Sequence, residues 1–252
     1  MSKFLLDYDK DQHSVLEPTH EKLPYHFHKK LLYAFVEKKD IDEFLKKYPH
    51  QSIGEFLTIS FNPTIYEVEV NEQKFTLCQA PLGAPAAVQL LDWLIGYGVK
   101  QVLAVGSAGA ISDLPENKLF LVKRALRDEG TSLHYLPASN FIDLETNWHN
   151  IVRATLTKLK LDAEDVTTWT TDGFFRETKK KVITAKSLGC ELVEMECSAM
   201  ASCCKFRGVD FSQILFTADS LADIENYDER NWGNDSHSIS LEIGSMILGE
   251  IE

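Results

Sequence analysis

The 252-residue chain lacks any apolar run near the roughly 20 residues needed to span a bilayer, so no membrane segment is expected. It is also short of positive charge, with 26 Lys and Arg against 38 Asp and Glu, a formal net charge of −12. No basic block is long enough to neutralise a phosphate backbone, and clusters such as Lys179-Lys180-Lys181 are brief, so nucleic acid is not an expected partner. Cysteine is sparse: the five (Cys78, Cys190, Cys197, Cys203 and Cys204) are odd in number and lack metal-ligand spacing. Neither a disulfide framework nor a metal centre is expected. In the opening MSKFLLDYDKDQH, acids interrupt any secretory apolar region, and a cytoplasmic, reduced chain is the expectation. What remains is ordinary for a globular protein, 44% hydrophobic and 25% charged, which a single domain over 1–252 accommodates.

Residues 1–22 are polar and contain Pro18, and read as an extended N-terminal arm. Its His13 and His20 are either exposed or brought over a site. Over 28–48, Leu31, Leu32, Phe35, Val36, Ile41, Phe44 and Leu45 fall at helical spacing, with Asp40 a candidate cap of a second helix. His26 and His28 share one face if the chain before them is extended; packing, anion contact and a metal all remain open there. FLTISF, IYEVEV and KFTLCQA, between Phe56 and Ala80, read as strands, with a turn at Asn71-Glu72-Gln73.

Pro81-Leu82-Gly83-Ala84-Pro85 then opens a helix that stops near Gly98, followed by a strand from Gln101 to Val105 and a turn over Gly106-Ser107-Ala108-Gly109. This strand–helix–strand order predicts a parallel unit with a right-handed crossover. Glycines at strand ends permit close approach of backbone N–H groups to an anion, or are simply tight turns. Arg127-Asp128-Glu129 is a structural network or a site segment. Residues 141–160 read as a helix and Thr167–Thr171 as a strand leading to Phe174, Phe175 and Arg176. After a polar stretch holding Trp232, a lid or an oligomer contact, the chain closes in a helix from Ile239.

The organising stretch is Glu191–Leu221. Its first half reads as a helix ending on Lys205 and Arg207 before Gly208. Its second half is an apolar strand, Gln213–Ala218, with Asp219 at the carboxyl end, where open α/β sheets place ligands. Carboxylates beside apolar walls are costly unless paired or used. Val193-Glu194-Met195-Glu196 followed by a strand ending in Asp219, in order with the turns at Gly83 and Gly106, resembles the nucleoside phosphorylase family of the purine nucleoside and uridine phosphorylase type. The resemblance covers roughly Pro81 to the C-terminus.

It implies an α/β, three-layer αβα sandwich around a mixed, mainly parallel central sheet, acting as a homo-oligomer, dimer or hexamer. It implies phosphorolysis of a purine nucleoside, or uridine, to free base and ribose 1-phosphate. Inorganic phosphate would be co-substrate, with no cofactor and no metal. Glu194, Met195 and Glu196 would hold ribose, with Glu196 on the 2′- and 3′-hydroxyls. Phe174 would stack on the base, Arg176 would flank it, and Asp219 would protonate a purine N7. Gly83, Gly106 and Ser107 would hold phosphate, and an arm histidine would meet the 5′-hydroxyl. The chain departs from the pattern where the family's phosphate arginine becomes Ala104, where its N-terminal glycine-rich phosphate motif is unmatched, and where Thr178 and Lys180 replace uracil-reading residues. His28 or Arg127 is the substitute cation expected from the pattern. A hydrolytic nucleosidase and a non-catalytic nucleoside-binding protein are the alternatives.

Overall fold

The computed structural model describes residues 3–252; Met1 and Ser2 of the expected arm lie outside the described residues. In chain order the elements are α1 (Lys3–Leu6), β1 (Lys30–Ala34), α2 (Lys38–Leu45), β2 (His50–Glu55), β3 (Thr64–Val70), β4 (Gln73–Gln79), α3 (Ala84–Gly96) and β5 (Gln101–Ala110). There follow β6 (Leu119–Asp128), β7 (Phe141–Asp143), α4 (Asn147–Lys158), β8 (Glu164–Thr171), α5 (Lys179–Ser187), β9 (Leu192–Glu194), α6 (Cys197–Arg207), β10 (Asp210–Ser220) and α7 (Asn234–Glu250).

All ten strands join one mixed sheet in the order β10-β6-β8-β9-β5-β1-β4-β3-β2, with β7 beside β6. Pairing of β10 with β5 as well as with β6 closes five strands on themselves. Parallel pairings run through β4–β1–β5–β10 and through β6–β8–β9, while antiparallel ones join these sets and form the β2–β3–β4 margin. One core lies between the sheet and α3 with α6, built on Leu91, Leu94, Met200 and Cys203. The other lies between the sheet and α2, α4 and α7, built on Phe44, Trp148, Leu241 and Ile247. The result is the expected three-layer α/β sandwich.

Local expectations were overturned where an apolar run suits two periods. Leu31–Ala34 is not helical but the strand β1, fully buried between two parallel neighbours, and such strands carry apolar residues on both faces. The helix α2 begins at Lys38, with Asp40 in its first turn accepting from the Glu37 N–H. Phe56–Phe61 is a loop closed by Thr58 and Asn62 side chains, and β2 precedes it. The start of 141–160 is the strand β7, and α4 begins after its Thr146 cap. Leu192–Glu194 is a strand between β5 and β8 rather than the first turn of a helix. The final helix starts at Asn234, five residues before Ile239.

The arm follows its own chain. Arg207 on α6 donates to Gln12 O at 3.2 Å, and the Leu23 N–H donates to the Tyr97 hydroxyl at 3.1 Å. His13 and His20 are exposed there.

Candidate active site

Gly109 is where the expected motifs meet. A Cβ at this position would lie 3.1 Å from Asp219 Oδ1, from Val193 Cγ1 and from Leu221 Cδ1. A glycine on β5 therefore lets β9, which delivers Glu194, and β10, which delivers Asp219, converge at one end of the sheet.

Glu196 forms the start of α6 and is buried. Its Oε1 accepts the Gly83 N–H at 2.6 Å. Gly83 has φ of 93°, a left-handed conformation that favours glycine, and it is the residue before α3. Glu194 is equally buried, and its two oxygens are already occupied. One accepts from the hydroxyls of Thr170 at 2.6 Å and Thr168 at 3.3 Å. The other accepts from the N–H groups of Glu196 at 2.8 Å and Cys197 at 2.6 Å. This corrects the ribose expectation for Glu194: it closes the N-terminus of α6, where orphan N–H donors and the helix dipole favour an acid. Met195 is partly exposed between the two acids. Burial holds both carboxyls above the ordinary range, Glu196 further because Glu194 is beside it.

Asp219 is buried at the end of β10 and accepts the Tyr227 hydroxyl at 3.0 Å. Burial raises its pKa, against the opposing pull of that hydrogen bond and of the Arg230 charge. Phe174 stands 40% exposed in a 3₁₀ turn after β8, its ring 6.1 Å from that of Trp232, which is 5.9 Å from Tyr227. A file of three rings thus leads to Asp219. Arg176 is exposed at the end of the same turn.

Tyr227, Arg230, Trp232 and Glu177 were not singled out as site residues in the sequence. A partial signal existed in Trp232, an aromatic isolated in a polar stretch. The backbone at Arg230, Asn231 and Trp232 has φ of 42°, 52° and 55°, an unusual run for residues other than glycine. Gly233 continues it, its α-carbon pressed so close to Ala218 that a Cβ would lie 2.9 Å from the Ala218 Cβ and 3.4 Å from that of Ser107. Arg230 Nη1 is buried without a partner.

The anion expectations fare differently. The expected turn at Gly106–Gly109 is a correction: β5 runs on through Ala110, and its small residues pair with β10 and then β9. Gly106 faces Phe35, whose Cβ would be 2.9 Å from a Cβ placed there. The Gly83 N–H is committed to Glu196. His28 is a second correction. It precedes β1, at the opposite end of the parallel sheet from Ser107, about 26 Å away by strand rise, and bonds Glu67 at 2.5 Å. Arg127 is bound to Ser132, Ser139, Pro137 O and Leu136 O, a structural anchor for the loop after β6. A groove of about 880 Å³ lies elsewhere, between the arm, α3 and the end of α6; neither Glu196 nor Asp219 lines it.

A buried carboxyl at the mouth of α6 and a second one, its pKa raised by burial, beside three aromatic rings thus stand at one end of the sheet. The model of the Phosphorylase superfamily matches residues 39–240, and the chain belongs to that superfamily. A purine nucleoside phosphorylase from Toxoplasma gondii superposes with a TM-score of 0.75 at 16% identity, over 95% of this chain and 97% of its own. Uridine phosphorylase from Vibrio fischeri does so at 0.72 and 18%, over 98% and 96%. A 5′-methylthioadenosine/S-adenosyl homocysteine nucleosidase from Campylobacter jejuni gives 0.69 and 18%, over 89% and 100%. At these identities the likeness is one of fold. An uncharacterized protein of Acanthamoeba polyphaga mimivirus is 26% identical over 163 residues, 64% of this chain. The chain spans 62% of the length of that relative. Two phosphorylases and a nucleosidase thus share the fold of this chain.

Proposed function

We propose that this chain cleaves the N-glycosidic bond of a purine nucleoside. The observation that carries the reading is Asp219, whose pKa burial raises and which stands at the end of the Phe174–Trp232–Tyr227 file, bonded to Tyr227. Breaking the bond sends negative charge into the base, and an acid at N7 neutralises it as it develops. The base stacks on Phe174, with Arg176 at the rim. Glu196, its Oε1 fixed by Gly83, accepts the ribose hydroxyls through its other oxygen and, once ionised, stabilises the cationic sugar. Met195 supplies an apolar floor. The chemistry needs no cofactor and no metal.

The acceptor favoured by the sequence is inorganic phosphate, held near Gly83, Gly106 and Ser107, with ribose 1-phosphate as product. A specific observation favours a second reading, hydrolysis. The α2 turn beside Phe35 and Gly106 carries its own carboxylates, Glu37 and Asp40, joined across the helix start. Lys38 and Lys39 are paired with Asp42 and Glu37, and position 104 is a buried alanine. Water is better suited than a dianion to such surroundings. Exposed Leu57, Ile59 and Leu82 support assembly as a homo-oligomer, dimer or hexamer. Among the described residues no helix is long and apolar enough to cross a membrane; a cytoplasmic setting is part of the same proposal.

The test is a panel of purine and pyrimidine nucleosides, with and without phosphate. Free purine base with ribose 1-phosphate supports phosphorolysis. Free ribose at a phosphate-independent rate moves the chain to the nucleosidases, and release of no base from any nucleoside overturns the catalytic reading.

A further inference from the structure

The mechanism leaves one acid beside Asp219 unused. Glu177 comes three residues after Phe174, and its N–H donates to Phe174 O at 3.4 Å, so the stacking ring and this acid are held together. Its partly buried carboxyl lines a cavity of about 200 Å³ with Lys179, Val182, Leu221, Asp223, Ile224 and Tyr227, the last being the residue bonded to Asp219. Among the described residues no hydrogen bond reaches that carboxyl.

Asp219, Lys179, Lys181 and Asp223 are paired elsewhere, as is Arg230 except for one buried nitrogen, Nη1, that has no partner among the described residues. Asp219 on β10 is bonded to Tyr227. On α5, Lys181 donates to Asp128 at 2.6 Å, and Lys179 pairs with Glu225. Asp223 accepts from Asn226 at 2.8 Å, and Arg230 lies by Asp228 and acts on Asp219. Burial first, and the nearby Asp219 second, raise Glu177 to about 7, with Lys181 opposing.

A purine whose N7 meets Asp219 presents its 6-substituent next along the same edge. In adenine that neighbour is an N–H donor; in 6-oxo purines it is an acceptor. We propose that Glu177 is a specificity-determining residue that accepts a hydrogen bond from the amino group of a 6-aminopurine nucleoside and disfavours 6-oxo purines. The inference rests on the purine reading given above. An ionised carboxylate only accepts, so a 6-oxo oxygen set against it leaves two acceptors unpaired in a partly dry cleft. A protonated Glu177 can donate, so discrimination should weaken as pH falls through its pKa. Asp219 meets N7 in both kinds of base, and a ratio between bases isolates Glu177.

The experiment is calorimetric titration of the full chain with free adenine and free hypoxanthine, one pH unit above and one below the Glu177 value of about 7. At the higher pH the wild type should bind adenine roughly tenfold or more tightly than hypoxanthine, and the ratio should shrink at the lower pH. Glu177→Gln, whose amide both donates and accepts, should bring the ratio near one and remove its pH dependence; Glu177→Asp should keep its direction. Equal binding by the wild type at the higher pH, or a ratio and pH dependence untouched by Glu177→Gln, overturns the inference. Binding of neither base overturns it together with the purine reading. The expected ratios without nucleoside cleavage support Glu177 as a base reader and overturn only the catalysis.

Discussion

The N–H of Gly83 and the carboxylate of Glu196 meet at 2.6 Å, although 113 residues separate them in the chain. The contact ties the mouth of α3 to that of α6 and orients the acid proposed to hold the sugar. Glu196→Gln should lower turnover of ribosides by about 2–4 kcal/mol of transition-state stabilisation, roughly 30- to 1000-fold, with the fold retained. A 2′-deoxyriboside should lose less. Equal losses of kcat/KM on both substrates would remove Glu196 from the ribose role.

Gly83→Ala separates backbone from contact. A Cβ there meets nothing within 4 Å, so the only penalty is the φ of 93°. The expected cost is about 1–2 kcal/mol of stability, read as a lower urea midpoint; the backbone N–H is kept, so turnover should fall only as far as relief of that φ moves the donor away from Glu196. A variant as stable as wild type would show that the φ of 93° carries no cost at this position.

Stability should carry the signature of the buried acids. Burial first, and Glu194 second, push Glu196 up to about 8 in the fold from an ordinary 4.5, so between these values the folded chain holds a proton that the unfolded chain has released. Its contribution is fully present below about 4.5 and is lost as pH rises through about 8. Urea midpoints of wild type and Glu196→Gln should therefore diverge in the variant's favour toward alkaline pH. Parallel curves would place the carboxyl in a solvated setting.

Asp219→Asn should reduce the chemical step on purine nucleosides far more than on any pyrimidine nucleoside, because only a purine offers N7. Tyr227→Phe gives the sharper test. The Tyr227 hydroxyl favours the ionised Asp219, so its loss should raise the Asp219 pKa further and move the alkaline limb of kcat upward. A downward shift would mean that Tyr227 does not act through Asp219.

Glu194→Gln should destabilise the protein by about 1–3 kcal/mol, because an amide NH₂ would turn toward donors that the carboxylate now accepts. Thermal unfolding checks this, and a variant as stable as wild type would leave α6 without the cap described.

Most of the candidate site was legible because its parts are local. Glu194-Met195-Glu196 and Asp219 each lie where an apolar segment ends, and burying an acid there has a cost that marks it. Phe174 was legible by resemblance alone. The fold class followed from strand–helix–strand order and from apolar runs long enough to be buried.

Other features were not readable from local pattern. Leu31–Ala34 is apolar on every face, so nothing in its period distinguishes a helix from a strand held between β4 and β5. His28 looked like a cation for the site because a sequence does not say which end of a strand faces the ligand; parallel pairing with β5 put it at the other end. Tyr227, Arg230 and Glu177 sit in polar stretches without periodicity, and only the closing of β10 against β5 and β6 gathers them around Asp219. The sequence by itself determined the acids and the layers, because burial cost and apolar period are properties of short segments. Which acid Gly83 orients and which caps a helix was decided by tertiary structure alone. Glu194 and Glu196 differ by two residues, and their roles separate only where Thr168 and Thr170 fill one and Gly83 orients the other.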